Sequence, residues 1–349
     1  MMPRLPATGE LIYSVRECSG QYYSRDVPGG VESSLVHSEL WRIAADGSNR
    51  RRLPVSGSRA EHPVTSPDGH WIYYQTEVAG RWQIHRMRTD GGARMTVAPL
   101  AVKDEEKTSA FGIALTADGT HLTYTLHDGF TGQVVRARSD GTAAQCLAPN
   151  FGYTYMAAPD ATAKRVVFSG PARDYRLILV GGPEDGLRVL TPDHPNCYVP
   201  QFTPDGQAII FIRRDGGLYQ VASDGSNLRQ MADGVQVEFF LTPEDTHGST
   251  DVPAISPDGQ RVAFIRQQPA GPPQLTVFDR VGGELHTLTA LPGACARPAW
   301  SPDGSWLAFV SMVKARPQLF VMAADGFGPP QKISDVAGAV YALCWRHNP

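Results

Sequence analysis

A short turn recurs along the chain and fixes most of what the chain can fold into. It reads Ser66-Pro67-Asp68-Gly69, Thr116-Ala117-Asp118-Gly119, Ala158-Pro159-Asp160, Thr203-Pro204-Asp205-Gly206, Ser256-Pro257-Asp258-Gly259 and Ser301-Pro302-Asp303-Gly304. Successive Asp positions lie 50, 42, 45, 53 and 45 residues apart. Pro presets φ at the first central position, Ser or Thr caps the turn, and Gly accepts the positive φ that closes it. A short apolar, β-rich run follows each turn, as at 71–75, 208–213 and 306–311. A second series, Asp46-Gly47, Asp90-Gly91, Asp140-Gly141, Asp185-Gly186, Asp224-Gly225, Gly282-Gly283 and Asp325-Gly326, marks a further hairpin in each unit. Hairpins repeated at this period are the pattern of propeller blades, four-stranded sheets set around an axis.

Seven second turns stand against six first turns. The N-terminal unit has a second strand at 11–15 and a third at 39–45, but no strand precedes them. The C-terminus supplies it: the run 340–345 ends in Trp345, which follows Trp300 by 45 residues, one repeat later. The expectation is an all-β, seven-bladed β-propeller in which the last strand completes blade 1 and so removes an open sheet edge. As a single domain over 1–349, its blades are expected at 11–55 plus 340–346, 62–98, 110–149, 153–191, 198–233, 251–290 and 296–335. Stretches at 22–37 and 233–251 break the repeat. The second contains Thr242-Pro243-Glu244-Asp245, but Asp245 precedes Asp258 by only 13 residues, too few for another blade. Both read as elaborated loops.

Composition agrees with many short strands: 42% of residues are hydrophobic, with 35 Gly and 28 Pro as turn formers. The 32 basic and 35 acidic residues are interspersed, so no electrostatic footprint for nucleic acid or an anionic membrane emerges. Arg50, Arg51 and Arg52 read as a solvated strand edge. Five cysteines without CxxC spacing, odd in number, speak against a complete disulfide framework and for a reducing compartment. Residues 1–10 carry no apolar signal segment, and no apolar run reaches membrane-spanning length. A soluble, cytoplasmic protein is expected, with neither nucleic acid nor membrane as partner.

The Ser-Pro-Asp-Gly turns, each followed by an aromatic or aliphatic strand and an Asp-Gly hairpin, resemble the PD40-type repeat of TolB-like β-propellers. The resemblance runs from about residue 11 to 345 and extends more distantly to oligogalacturonate lyase propellers. It implies the fold and leaves function open. This repeat occurs in transport-associated proteins, in propeller domains attached to serine peptidases and in lyases acting on oligogalacturonate. No Gly-x-Ser-x-Gly elbow of a hydrolase follows the repeats here.

In such a ring the innermost strand of each blade faces the central channel, so residues near the strand starts converge on one funnel. Glu61, His62, Tyr153, Tyr155, Tyr198, Asp251 and Arg297 are the ligand-binding candidates there, with Phe111 and Tyr341 beside them. Aromatic faces with both signs of charge suit a saccharide or a peptide, because rings stack and charges orient a polar ligand. Tyrosines at strand starts also serve as packing residues. Arg297 stands where other repeats carry Gly112, Val199 or Val252. An inward cation needs a partner, either Glu61, Asp251 or a ligand carboxylate.

The ten histidines form no local ligand set, so a metal would have to be gathered from separate blades. His62, His194 and His247 lead into innermost strands and are the candidates for manganese, zinc or calcium. Such assembly is what the lyase resemblance implies; the alternative for each is a lone core or surface histidine. Cys197 and Cys295 read as buried packing residues. No nucleophile and base can be paired from spacing, so catalytic residues stay unassigned. The leading expectation is a soluble TolB-like propeller that binds a saccharide, peptide, protein or small molecule in its funnel, without a cofactor or with a divalent metal. The alternatives are a metal-assisted lyase of uronate-containing oligosaccharides and a small-molecule biosynthetic enzyme. In the lyase a metal or Arg297 would neutralise the carboxylate while a His or Tyr takes the adjacent proton.

Overall fold

The computed structural model describes residues 9–19, 34–55, 57, 59–97, 108–127, 131–148, 154–171, 174–181, 186–236, 252–314 and 316–347. They form seven four-stranded antiparallel sheets arranged as the blades of a ring. From blade 1 to blade 7 the inner strands are Ala339–Arg346, Ala60–Thr65, Ser109–Leu115, Tyr155–Pro159, Cys197–Phe202, Ala254–Ile255 and Cys295–Trp300. Blade 1 closes as the repeat count requires, because Ala339–Arg346 pairs antiparallel with Glu10–Ser19, Trp345 opposite Leu11. No described helix is long and apolar enough to cross a membrane.

The turn chemistry read from the sequence is visible in the bonds. In blade 2 the Ser66 hydroxyl donates to Asp68 Oδ1 at 2.5 Å and accepts from the Trp71 backbone N–H at 2.9 Å, while Gly69 sits at φ 69°. Asp68 Oδ1 also accepts from the His70 N–H at 3.0 Å. The same arrangement recurs at Ser256–Asp258 and Ser301–Asp303. Burial works against charge on these carboxylates to varying degrees. The surrounding donors prevail, and Asp68, Asp258 and Asp303 ionise below the ordinary carboxylate range.

Packing is organised by joints between blades. Leu11, Tyr13 and Trp345 of blade 1 pack against Val310, Leu319 and Val321 of blade 7, and Ile12 and Leu40 against Ile72, Tyr74 and Met87 of blade 2. Arginines bridge the same joints to backbone carbonyls of the neighbouring blade: Arg42 to Thr89, Arg86 to Ser139, Arg136 to Ala163, Arg165 to Gly206, Arg261 to Gly304 and Arg50 to Asp335. The Arg run at 50–52 is thus partly structural, since Arg50 also lies over the Trp41 ring at 4.4 Å. Arg51 and Arg52 remain exposed as expected.

Candidate functional site

Five of the inner strands share one irregularity beside the channel. Pairing with the second strand slips between Glu61 and Val64, Phe111 and Ala114, Tyr155 and Ala158, Tyr198 and Gln201, and Ala296 and Ala299. Within each slip one residue adopts left-handed φ: His62 at 51°, Gly112 at 69°, Met156 at 47°, Val199 at 49° and Arg297 at 57°. Such bulges bend the strand and re-aim a side chain.

Around these bulges lies a cavity of about 210 Å³. Its wall draws on six blades: Ala342 and Leu343, then His62 and Gln75, then Phe111, Ile113, Thr125 and His127, with Met156, Val252 and Arg297 completing it. The lining is apolar for the most part, with a few polar groups set into it, as small-molecule sites generally are.

On one side of the cavity stands a charged cluster. Arg16 grips the Glu61 carboxylate with Nε and Nη2 at 2.9 and 2.6 Å, and both side chains are buried. The Arg16 guanidinium also lies over the Tyr341 ring at 3.1 Å, and that of Arg297 lies over the same ring at 4.9 Å. Burial opposes charge on Glu61, but the field and hydrogen bonds of Arg16 outweigh it, and the carboxyl ionises below its ordinary 4.5. His62 meets Tyr341 edge-on at 5.4 Å between ring centroids. Burial pushes the His62 imidazole down to about 3; Glu61 opposes the shift, while Arg297 and Arg16 add to it. His62 is therefore a neutral hydrogen-bonding group at neutral pH.

The structure brings His62 and Arg297 to the cavity wall and sets Glu61 directly behind it. The Glu61 carboxylate is held by Arg16 rather than by Arg297, since the second strand of blade 1 runs alongside the inner strand of blade 2 and delivers the fork first. Tyr198 is absent from the wall. It is buried against Tyr175 at 5.0 Å between ring centroids, and its hydroxyl faces Asn196 Oδ1 at 3.4 Å. Tyr153 and Asp251 lie outside the described residues, as does the side chain of Tyr155. Gln75, Thr125 and Met156 were not singled out from the sequence. Gln75 and Thr125 each follow their turn Asp by seven residues, and that shared offset on a second strand is the signal that finds them.

The three-histidine metal set is not assembled among the described residues. His247 lies outside them, His194 sits in a turn on Thr191 away from the wall, and no three His, Cys, Asp or Glu side chains gather to hold an ion. A divalent metal therefore does not fit the described wall. The two buried thiols behave as packing groups: burial pushes Cys197 up to about 11, and Cys295 contacts Gln274 and Thr289 in the joint between blades 6 and 7.

Seven four-stranded blades, a closing C-terminal strand and a cavity walled by six of the blades define a β-propeller. The TolB β-propeller domain family matches residues 241–342 of the chain. An uncharacterized protein of Agrobacterium fabrum is 31% identical over 90 residues, 26% of this chain, and the match spans about a quarter, 25%, of that relative's length. A puromycin-hydrolysing peptidase of Mycobacterium tuberculosis superposes with a TM-score of 0.68 at 15% identity, covering 86% of this chain and 49% of the peptidase. An oligogalacturonate lyase in complex with manganese superposes with a TM-score of 0.60 at 15% identity, covering 94% and 86% of the two chains. At these identities the structural likeness is one of fold.

Proposed function

We propose that this propeller is a binding module that holds a small organic ligand in its central cavity. The observation that carries the reading is the cavity itself, about 210 Å³, walled by six blades with polar groups at a few points of an apolar surface. An engineered apolar cavity of about 150 Å³ accepts benzene, so the volume suits a compact molecule better than a saccharide chain or an extended peptide. Binding is favoured over catalysis by the state of the titratable groups nearby. Glu61 is fully engaged by Arg16, and an imidazole titrating near 3 is a poor general base at neutral pH.

A cavity-filling variant tests this. Ile113 lines the wall at the margin of the apolar cluster between blades 2 and 3 and is only half-buried, so Ile113→Trp should fill the space while the fully buried residues of that joint stay in place. A library of small organic fragments screened by ligand-observed NMR should yield binders that compete with one another, and Ile113→Trp should abolish their signals while the protein melts normally. Binders that persist in Ile113→Trp would place the site elsewhere.

A further inference from the structure

One second-strand position divides the ring into a polar arc and an apolar arc. It is the residue paired with the last inner-strand residue before the bulge: Gln75 opposite Glu61, Thr125 opposite Phe111, Ser169 opposite Tyr155, Ile212 opposite Tyr198, Val310 opposite Ala296 and Val15 opposite Val340. In blade 6 the same offset from the turn gives Ile265. All seven are buried. In blades 5, 6, 7 and 1 the position holds Ile212, Ile265, Val310 and Val15, each part of an apolar cluster between blades. In blades 2, 3 and 4 it holds an amide and two hydroxyls.

The repeat shows that an aliphatic residue satisfies the fold at this position, so the polar arc is not demanded by blade geometry. It also carries a cost. Thr125 Oγ1 and Ser169 Oγ are buried, at 2% and 0% exposure of their residues, and neither has a hydrogen-bond partner among the described residues. A buried polar group left unpaired is destabilising on the scale of a lost hydrogen bond. Thr125 and Gln75 line the cavity, beside the uncharged imidazole of His62. Met156, Val252 and Leu343 supply apolar parts of the same wall, from blades 4, 6 and 1.

We propose that the cavity takes an uncharged organic ligand of about single-ring size, its polar edge on Gln75 and Thr125 and its apolar body against Met156, Val252 and Leu343. This rests on the cavity being the binding site. The polar groups of that arc carry no net charge, and the Arg297 guanidinium elsewhere on the wall lies over the Tyr341 ring at 4.9 Å; an ion set on Gln75 and Thr125 would be desolvated without a counter-charge there, so a neutral donor–acceptor edge is their complement. Size follows from the cavity volume, and affinity from giving the Thr125 hydroxyl a partner.

The probe is benzamide, one ring with a neutral amide edge, with benzoate as its anionic counterpart, titrated into the full chain by ligand-observed NMR. Benzamide is expected to bind saturably and benzoate more weakly. Thr125→Val should weaken benzamide about tenfold, the worth of one hydrogen bond in a desolvated site, and should melt no lower than the wild type. Gln75→Leu should act in the same direction. The inference is overturned by absence of saturable benzamide binding, by preference for benzoate, or by Thr125→Val melting several degrees lower, which would show that the hydroxyl serves the fold through a water. Benzoate binding that Ile113→Trp abolishes would leave the cavity reading in place and remove only the uncharged ligand.

Discussion

At the scale of single residues, His62 concentrates the tension of this site. It occupies a left-handed backbone position, faces an apolar cavity and lies within the fields of two arginines, so its imidazole stays neutral far below its ordinary 6.5. The unfolded chain binds this proton with ordinary affinity. Between about 6.5 and 3 the unfolded state therefore holds more protons than the folded one, and the stability supplied by neutral His62 is complete above 6.5 and drains away as pH falls towards 3. His62→Asn should remove up to about 1 kcal/mol per pH unit of that slope, and Asn tolerates the left-handed φ. Urea unfolding of both proteins from pH 7 to 4 reads the difference; parallel curves would mean that the ring is solvated. The turn aspartates titrate in both proteins and cancel in the comparison, whereas Glu61 feels the His62 charge and belongs to the difference. His62 and Arg297 were legible as channel residues because the repeat numbers the inner strands. The roles of their neighbours were not. Sequence spacing says nothing of which carboxylate an arginine from an adjacent blade reaches, so the grip of Arg16 on Glu61 and the burial of Tyr198 against Tyr175 emerge only from packing.

At the scale of the element, the turns were readable and the bulges were not, for a physical reason. A Ser-Pro-Asp-Gly turn demands particular residues, since the hydroxyl, the carboxylate and the positive φ each have one cheap supplier. The bulge asks for left-handed φ too, yet His62, Met156, Val199 and Arg297 fill it as well as Gly112 does, so no residue type marks it. The surrounding ring holds that strain in place. The joints between blades also use chemistry hidden from the sequence. Arg261 spans from blade 6 to the Gly304 and Ala324 carbonyls at 3.1 and 3.3 Å and lies 4.6 Å over the Trp300 ring. A lysine keeps the charge but loses the planar fork and its stacking. Arg261→Lys should cost roughly 1.5 kcal/mol, the value of a hydrogen bond to a charged group, measured as a lower urea midpoint with an unchanged m-value. An unaltered midpoint would show that the bridge is solvent-exchanged and neutral in energy.

At the scale of the whole molecule, a ring of blades is only as stable as its last joint. Here that joint was legible, because Trp345 repeats Trp300 one unit later, and the two indoles do the same work: Trp300 Nε1 donates to Ala254 O at 2.8 Å and Trp345 Nε1 to Ala299 O at 3.0 Å, each reaching back to the preceding blade. The closing strand also buries Val340 and Ala342, and Arg346 donates to Gly69 O of blade 2 at 2.9 Å while pairing with Glu10 at 2.8 Å. One strand therefore serves the 7–1 joint, the 1–2 joint and the cavity wall through Ala342 and Leu343. Deleting 340–349 would leave Glu10–Ser19 as an open edge, open a gap against blade 7 and breach the site at once. The truncated chain should aggregate on size exclusion or lose its single cooperative transition, with ligand binding lost in either case. If it instead melted as one transition at the wild-type temperature, the ring would be held by its six other joints, and closure by the C-terminal strand would be a feature of the cavity rather than of stability.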